Sequence, residues 1–414
     1  MARDGDELTH GVAPEGKPGS TIAEKPKVPQ SIWVLVAAAF IIALGYGLIA
    51  PILPQFAQSF NVGVAAAGAV ISIFAFSRLA FAPVSGRLVD RLGSRRIYLS
   101  GLLIVAGTTG LVAFVGEYWH ILLLRLIAGI GSTMFTVSAM GLIVRLSPPE
   151  IRGRCSSLYA TAFLLGNVLG PVLGMRAPFA IYGAAVFLAA LVVWWRMPAS
   201  VGVRPTEGGR ATTPMRFREA FADSAYRSAL VGGFANGWLN FGVRVATLPL
   251  LAAAIFESGA AYAGLAMATF AAGNAVVQQF SGRAADQVGR KPLILVGLLA
   301  NGTFTAALGF SDRVWSLLLL SVLAGAGAGL FNPAQQAVLA DVIGAERSGG
   351  RVLANFQMAQ DTGAILGPII VGLLIQQAGF RAGFLACGVV AGLAVVAWCF
   401  GRETLRKPSS VSAL

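Results

Sequence analysis

Asp361 is a carboxylic acid in a place where the surrounding sequence offers it no water. It lies nine residues past the start of an apolar run that opens near residue 352. At 1.5 Å per residue that is about 14 Å along a helix, close to the middle of a hydrocarbon core of about 30 Å. Desolvation disfavours the charged form and a neighbouring arginine favours it, so a change of surroundings switches its proton. A group of that kind suits proton coupling; the plainer reading is a structural Asp that bonds neighbouring helices or stays in one salt bridge. Arg78, Arg125 and Arg244 also fall inside apolar runs. An arginine at the membrane centre costs about 2.5–3.5 kcal/mol on insertion scales, so each is expected to face a polar cavity or a partner. Three cations against one embedded carboxylate favour anionic or zwitterionic ligands, unless carbonyls or snorkelling satisfy the surplus. Spacing alone does not say which arginine meets Asp361.

Uncharged polar residues share the spacing of helix faces. Asn236, Asn240 and Arg244 fall at i, i+4 and i+8, and Asn274, Gln278 and Ser281 follow a similar rhythm. Asn332 with Gln336, and Gln357 with Asp361, repeat the four-residue step. Such residues join helices by hydrogen bonds, or, as four stripes in one half of the chain, line a shared cavity with Tyr46, Trp238 and Phe241 as aromatic contacts. The cavity is the expectation adopted here, with Arg78 included in it.

The elements that position these groups are long and apolar. Of 414 residues 56% are hydrophobic and 12% charged, which excludes an ordinary soluble domain. Runs long enough to cross a bilayer are expected at 32–50, 66–85, 97–115, 120–142, 156–175 and 178–196. They recur at 227–248, 262–281, 292–310, 314–336, 352–376 and 382–400. The expected organisation is a disordered tail (1–30), a six-helix half (31–197), a linker (198–224), a second six-helix half (225–401) and a short tail (402–414). Residues 215–222 are expected to form a short interfacial helix. No cleavable signal peptide is read in the polar tail. Twenty-five of the 31 Lys and Arg residues fall on the side that holds both termini, against three on the other. That bias makes both termini cytoplasmic in the plasma (inner) membrane. The net charge of +13 therefore reflects short basic loops, not a nucleic-acid surface. Cys155, Cys387 and Cys399 lack metal or disulfide spacing, and neither a catalytic constellation nor a cofactor motif is present. A membrane enzyme or sensor is the reading that these absences weigh against.

The two halves carry a repeat. Gly86-Arg-Leu-Val-Asp90-Arg91-Leu-Gly93-Ser-Arg95-Arg96 returns as Gly282-Arg-Ala-Ala-Asp286-Gln-Val-Gly289-Arg290-Lys291, 196 residues later. Both copies read as charged loops between membrane-length runs, in which glycines allow a tight turn and an Asp engages helix ends. Three further stretches accompany it. Leu44-Gly45-Tyr46-Gly47-Leu-Ile-Ala-Pro51-Ile-Leu-Pro54 ends the first run, with a reduced copy at Thr247-Leu-Pro249; Arg125-Leu-Ile-Ala-Gly129-Ile-Gly131 lies in the fourth. Gly166-Asn-Val-Leu-Gly170-Pro171-Val-Leu-Gly174 lies in the fifth and Gly363-Ala-Ile-Leu-Gly367-Pro368 in the eleventh. Together they resemble the major facilitator superfamily, and within it the twelve-helix drug:proton antiporters, over about residues 32 to 400. Ala128, Met175 and Gln287 depart from that pattern, the last suggesting a weaker second copy.

The resemblance implies an all-α membrane protein of twelve transmembrane helices in two pseudo-symmetric six-helix halves (the MFS fold). The halves rock about a central site to expel small molecules against protons. It implies that Arg125 acts with Asp361 in proton coupling. Gly86, Asp90, Arg91, Gly93, Arg95, Gly282, Asp286, Gly289 and Arg290 form a cytoplasmic latch, and Gly166, Gly170, Pro171 and Gly174 mark export. Expected partners are a small-molecule substrate, protons and membrane lipid, with no nucleic acid, no metal, and a monomeric state. An importer or facilitator of a metabolite on the same fold is the alternative. The absence of acidic residues in the first six runs speaks for it, and Gly170-Pro171 against it.

Overall fold

A computed structural model describes residues 28–49, 53–62, 64–147, 151, 153–159, 176–198, 214–257, 259–344 and 347–405. Where lipid surrounds an apolar run, its backbone N–H and C=O groups must pair within the run, and a helix does this. The first half contains α1 (Gln30–Ile49), α2 (Leu53–Gln58), α3 (Val64–Leu92) and α4 (Ser94–Val112). It continues with α5 (Tyr118–Leu146), the helical start α6 (153–159) and α7 (Ala177–Arg196). The second half contains α8 (Phe217–Ala222), α9 (Ser224–Asn236), α10 (Arg244–Ile255), α11 (Gly259–Gln287), α12 (Arg290–Leu308), α13 (Val314–Ile343) and α14 (Gly350–Phe400). α8 falls within the expected interfacial helix. Gly379, with φ of 81°, breaks α14 into two limbs. Eleven of the twelve expected spans thus coincide with helices. The fifth lies outside the described residues apart from α6, and with it Gly166, Gly170, Pro171 and Gly174.

The halves repeat each other in packing as in sequence. In the first, α5 packs on α3 and α4, and α4 on α7; in the second, α13 packs on α11 and α12, and α12 on α14. Among the described residues six helical stretches are long and apolar enough to cross a membrane. Large apolar side chains, among them Leu103, Phe187, Leu319 and Val389, point outward from the bundle, as a lipid-facing exterior requires. Trp119 and Trp315, 196 residues apart, are exposed at the starts of α5 and α13. The amphipathic Trp ring suits a membrane boundary.

One expectation changes. The repeated charged stretches are not loops along their length. α3 and α11 each run 29 residues, so Gly86 to Leu92 and Gly282 to Gln287 are helical and the chain turns only afterwards. The turns come at Gly93 (φ 86°) and Gly289 (φ 131°), backbone values that a side chain rarely tolerates. Nothing before them in either copy breaks a helix.

A second departure lies between α9 and α10, where Gly237–Val243 forms a π-helical segment inside a membrane-length helix. Such segments widen the turn locally and occur frequently at functional sites.

Candidate functional site

α3 and α14 bring the embedded charges together. Arg78 Nη2 lies 3.3 Å from Asp361 Oδ1, with Arg78 16% and Asp361 13% exposed. The same guanidinium donates through Nη1 to Ser132 Oγ of α5 at 2.5 Å, and Gln357 Nε2, one turn before Asp361, donates to Oδ1 at 2.8 Å. Asp361 Oδ2 is buried and accepts no hydrogen bond among the described residues. The ion pair therefore joins the two halves through one carboxylate oxygen and leaves the other available.

Arg125 does not complete that pair. Its guanidinium stacks over Phe74, 4.1 Å from the ring centroid, and Arg78 lies over the same ring at 5.9 Å. Phe74 thus sits beside both cations, and a ring face attracts desolvated guanidinium. Phe74 and Arg78 are one turn apart on α3, and Arg125 and Ser132 two turns apart on α5, which turns these side chains to the α3–α5 contact. Ser132 and Phe74 are site residues that the charge pattern alone misses; the i+7 step from Arg125 to Ser132 is the sequence signal for the former.

The second-half stripes divide. Asn236, Asn240 and Arg244 do share one course despite the π segment, and α12 extends it. Arg244 Nη2 donates to Thr305 Oγ1 at 2.8 Å and Thr305 Oγ1 to Asn301 Oδ1 at 3.3 Å. Asn301 Nδ2 donates to Asn240 Oδ1 at 3.3 Å, and Asn240 Nδ2 to Asn236 Oδ1 at 2.8 Å. Asn301 and Thr305 are themselves four apart, a polar pair whose meaning appears only once the helix it faces is known. Asn274 and Gln278 are buried on α11, with Asn274 Oδ1 and Gln278 Oε1 unpaired among the described residues, and Ser281 bonds Gly329 O of α13 at 2.7 Å. Asn332 and Gln336 are half-buried, while their neighbour Gln335 is fully buried and donates to Ala229 O at 2.6 Å. Trp238 is buried against Phe234. Phe241 is 53% exposed. The side chain of Tyr46 falls outside the described part.

About 17 Å away, at 1.5 Å per residue, at the far ends of the same two helices, lie the residues expected to form the latch. Asp90 Oδ1 accepts the Ser348 hydroxyl and, at 2.9 Å, the Gly350 N–H, and Asp90 Oδ2 accepts the Arg351 N–H at 3.3 Å. Gly350 and Arg351 are the first residues of α14, whose N–H groups have no partner within the helix. The Asp90 carboxylate of one half therefore caps a helix of the other, where the helix dipole also favours negative charge. Gly86 makes this possible, because a Cβ there would lie 2.8 Å from Gly350 O and from Ala354 Cβ. The second copy does the same in reverse: Asp286 accepts the N–H groups of Gly153 (3.1 Å) and Arg154 (3.3 Å) at the start of α6.

The two latches differ behind the carboxylate. Arg290, 1% exposed, lies 3.0 Å from Asp286 and 3.3 Å from Asp341, and donates to Ala285 O. Glu403 caps the start of α12 by accepting the N–H groups of Arg290 and Lys291. Arg91 is exposed, and Arg95 instead donates to Trp194 O at 2.8 Å. Gln287 is likewise exposed, so its difference from Arg91 leaves the Asp286 cap intact. Burial raises the Asp90 carboxyl above its ordinary range against the hydrogen bonds it accepts. Burial, opposed by Arg290 and the two N–H groups and aided by Asp341, pushes Asp286 up to about 6.

Comparison with known proteins gives the same architecture. The family model described as Major Facilitator Superfamily matches residues 35–248 and again 229–413, once per half. A protein named multi-drug resistance efflux pump PmrA homolog, from Lactococcus lactis, is 23% identical, over 92% of this chain and 97% of its own. A class G tetracycline resistance protein from Vibrio anguillarum is 27% identical over 79% of this chain and 86% of its own. The crystal structure of the human organic anion transporter MFSD10 superposes with a TM-score of 0.75 at 18% identity, covering 89% of this chain and 100% of that one. The two matches together span residues 35–413, and this chain belongs to the Major Facilitator Superfamily of membrane transporters.

Proposed function

We propose that the protein is a proton-coupled efflux antiporter of small amphipathic molecules in the plasma (inner) membrane, with both termini cytoplasmic. It works by alternating access between its halves. The observation that carries this reading is the Arg78–Asp361 pair, a carboxylate shared between the halves with one buried oxygen unbonded. In this mechanism a proton arriving from outside adds to Asp361, neutralises it and weakens its hold on Arg78. The Asp90 and Asp286 caps then yield, the cytoplasmic end opens, and cargo binding is accompanied by release of the proton inward. Arg125, beside Arg78 on the Phe74 ring, tunes the exchange electrostatically. Relatives named for multidrug efflux and tetracycline resistance support export as the direction.

The test is transport of a compound panel into inverted membrane vesicles, with a proton gradient imposed and then collapsed. Accumulation should stop and reverse when the gradient is collapsed. Transport that is indifferent to the gradient would remove proton coupling and favour the facilitator.

A further inference from the structure

The chain past the end of α14 stays on the bundle through residue 404, and there three consecutive residues each reach a different helix of the second half. Arg402 clasps Asp223 through two nitrogens, at 2.9 and 2.6 Å, where Asp223 caps α9. Glu403 accepts the N–H groups of Arg290 and Lys291 at the start of α12, at 3.0 and 2.9 Å. Thr404, 5% exposed, donates its hydroxyl to Asp341 Oδ2 of α13 at 3.0 Å. Gly289 leaves room for this approach, since a Cβ there would lie 2.7 Å from Glu403 Oε2.

What these contacts surround is Arg290. Glu403 holds its backbone, and Thr404 holds its counter-ion Asp341 by the same oxygen that faces Arg290 Nε at 3.3 Å. Arg290 Nη1 in turn lies 3.0 Å from Asp286 Oδ1, the oxygen that accepts the Gly153 N–H of the first half. One buried cation shared between two carboxylates takes its position from what fixes its backbone and from how fully each carboxylate is satisfied elsewhere. The segment acts on both. The first half has no such arrangement at the matching positions: 196 residues before Arg290 and Asp341 stand Ser94 and Arg145.

We propose that Arg402, Glu403 and Thr404 form a strap that positions Arg290 and, through it, the Asp286 carboxylate that caps α6. The residues after the last span then govern one of the two caps between the halves, with Glu403 and Thr404 as positioning residues that touch no cargo. The inference rests on the transport reading only in taking that cap as a contact that opens.

The test is hydrogen–deuterium exchange on the purified full-length protein in detergent, without gradient or cargo, read at the amides that the two carboxylates hold. Glu403→Gln should speed exchange of the Gly153 and Arg154 amides about tenfold, through the weakened Asp286 cap. The Gly350 and Arg351 amides, held by Asp90, should exchange as in the wild type. Thr404→Val, which keeps the side-chain volume in case the glutamine variant does not fold, should act in the same direction and at the same amides. In an Asp286→Asn background, where the cap is already weakened, Glu403→Gln should add nothing further at Gly153 and Arg154. Equal acceleration at both caps would make the strap a general stabiliser and overturn the proposal. So would unchanged exchange at Gly153 and Arg154, or a full Glu403→Gln effect in the Asp286→Asn background. Because no gradient is present, a failed proton-coupling test leaves this result standing, and the reverse.

Discussion

Replacing Asp361 by Asn removes the charge and little else. The amide oxygen still reaches Arg78 Nη2, 3.3 Å from the present Oδ1, and still accepts from Gln357. Arg78 keeps Ser132 and the edge of Phe74. The loss is therefore smaller than the roughly 3–5 kcal/mol typical when one partner of a buried pair is removed outright. It approaches the difference between a charge-assisted and a neutral hydrogen bond, about 1–2 kcal/mol. At 1.4 kcal/mol per factor of ten, the equilibrium between cytoplasmic-closed and cytoplasmic-open forms should move some 5- to 30-fold toward open. In vesicles, Asp361→Asn should abolish gradient-driven accumulation, because the side chain can no longer gain or lose a proton. Exchange of labelled against unlabelled cargo without a gradient should persist. Adding Arg78→Gln to it should destabilise the fold by less than Arg78→Gln does in the wild type, since each single change leaves a group that the other had matched. Unchanged active accumulation in Asp361→Asn would make Asp361 a structural residue and refute the coupling argument.

Two further outcomes follow from the latch. Asp286 is held near 6 in the closed latch by burial, against about 3.9 for a solvated Asp. The closed form thus binds its proton more readily than an opened one. Closure is favoured as pH falls from about 6 toward 4, by at most about 3 kcal/mol, and the contribution is lost as pH rises through 6. Distances between spin labels at Ile151 and Gln287 should shorten in distribution over that window, and Asp286→Asn should flatten the response. Asp90→Asn combined with Asp361→Asn should be non-additive in unfolding midpoint, with a coupling of about 0.5–3 kcal/mol, because both carboxylates hold the same pair of helices. Strict additivity would show that the two contacts act independently.

Much of this was legible in the residues. The 196-residue offset identified the halves, and the same offset relates Gly93 to Gly289, the two positive-φ turns. Asp361 could be located by counting from one end of its run. Its partner could not, since the choice among Arg78, Arg125 and Arg244 depends on how α3, α5 and α14 are rotated against one another. Hydropathy does not encode that rotation in helices that are apolar nearly all round. Asn301 and Thr305 were hidden for a different reason: a polar pair on one helix means little until the helix it faces is known. Phe74 is indistinguishable in sequence from exposed rings such as Phe241. The reach of α3 and α11 past the apolar runs is not visible in hydropathy, which ends where the charges begin, although the Arg, Ala and Leu residues among those charges extend a helix readily.

The spacing of the two contacts between α3 and α14 constrains how the halves move. Arg78 and Asp90 are 12 residues apart on α3, about 18 Å, and Gly350 and Asp361 are 11 apart on α14, about 16 Å. Arg78 faces Asp361 and Asp90 faces Gly350, so the helices run antiparallel and are clamped at two matched points. Rotation that opens the Asp90 end with the inner pair intact must pivot near Asp361; once that pair is weakened, the helices separate along their length. Protonation of Asp361 reaches only the inner clamp. The Asp90 cap consists of bonds from Ser348 and two backbone N–H groups to a buried carboxylate, each of a type worth about 1.5–3 kcal/mol. The Arg351 guanidinium, 46% exposed and 3.8 Å away, adds about 1 kcal/mol or less. The proton thus lowers the barrier without supplying the energy to break the latch. In the proposed carrier, protonation of Asp361 therefore biases the cytoplasmic end toward opening, and the Asp90 cap sets how far that bias must go before the helices part.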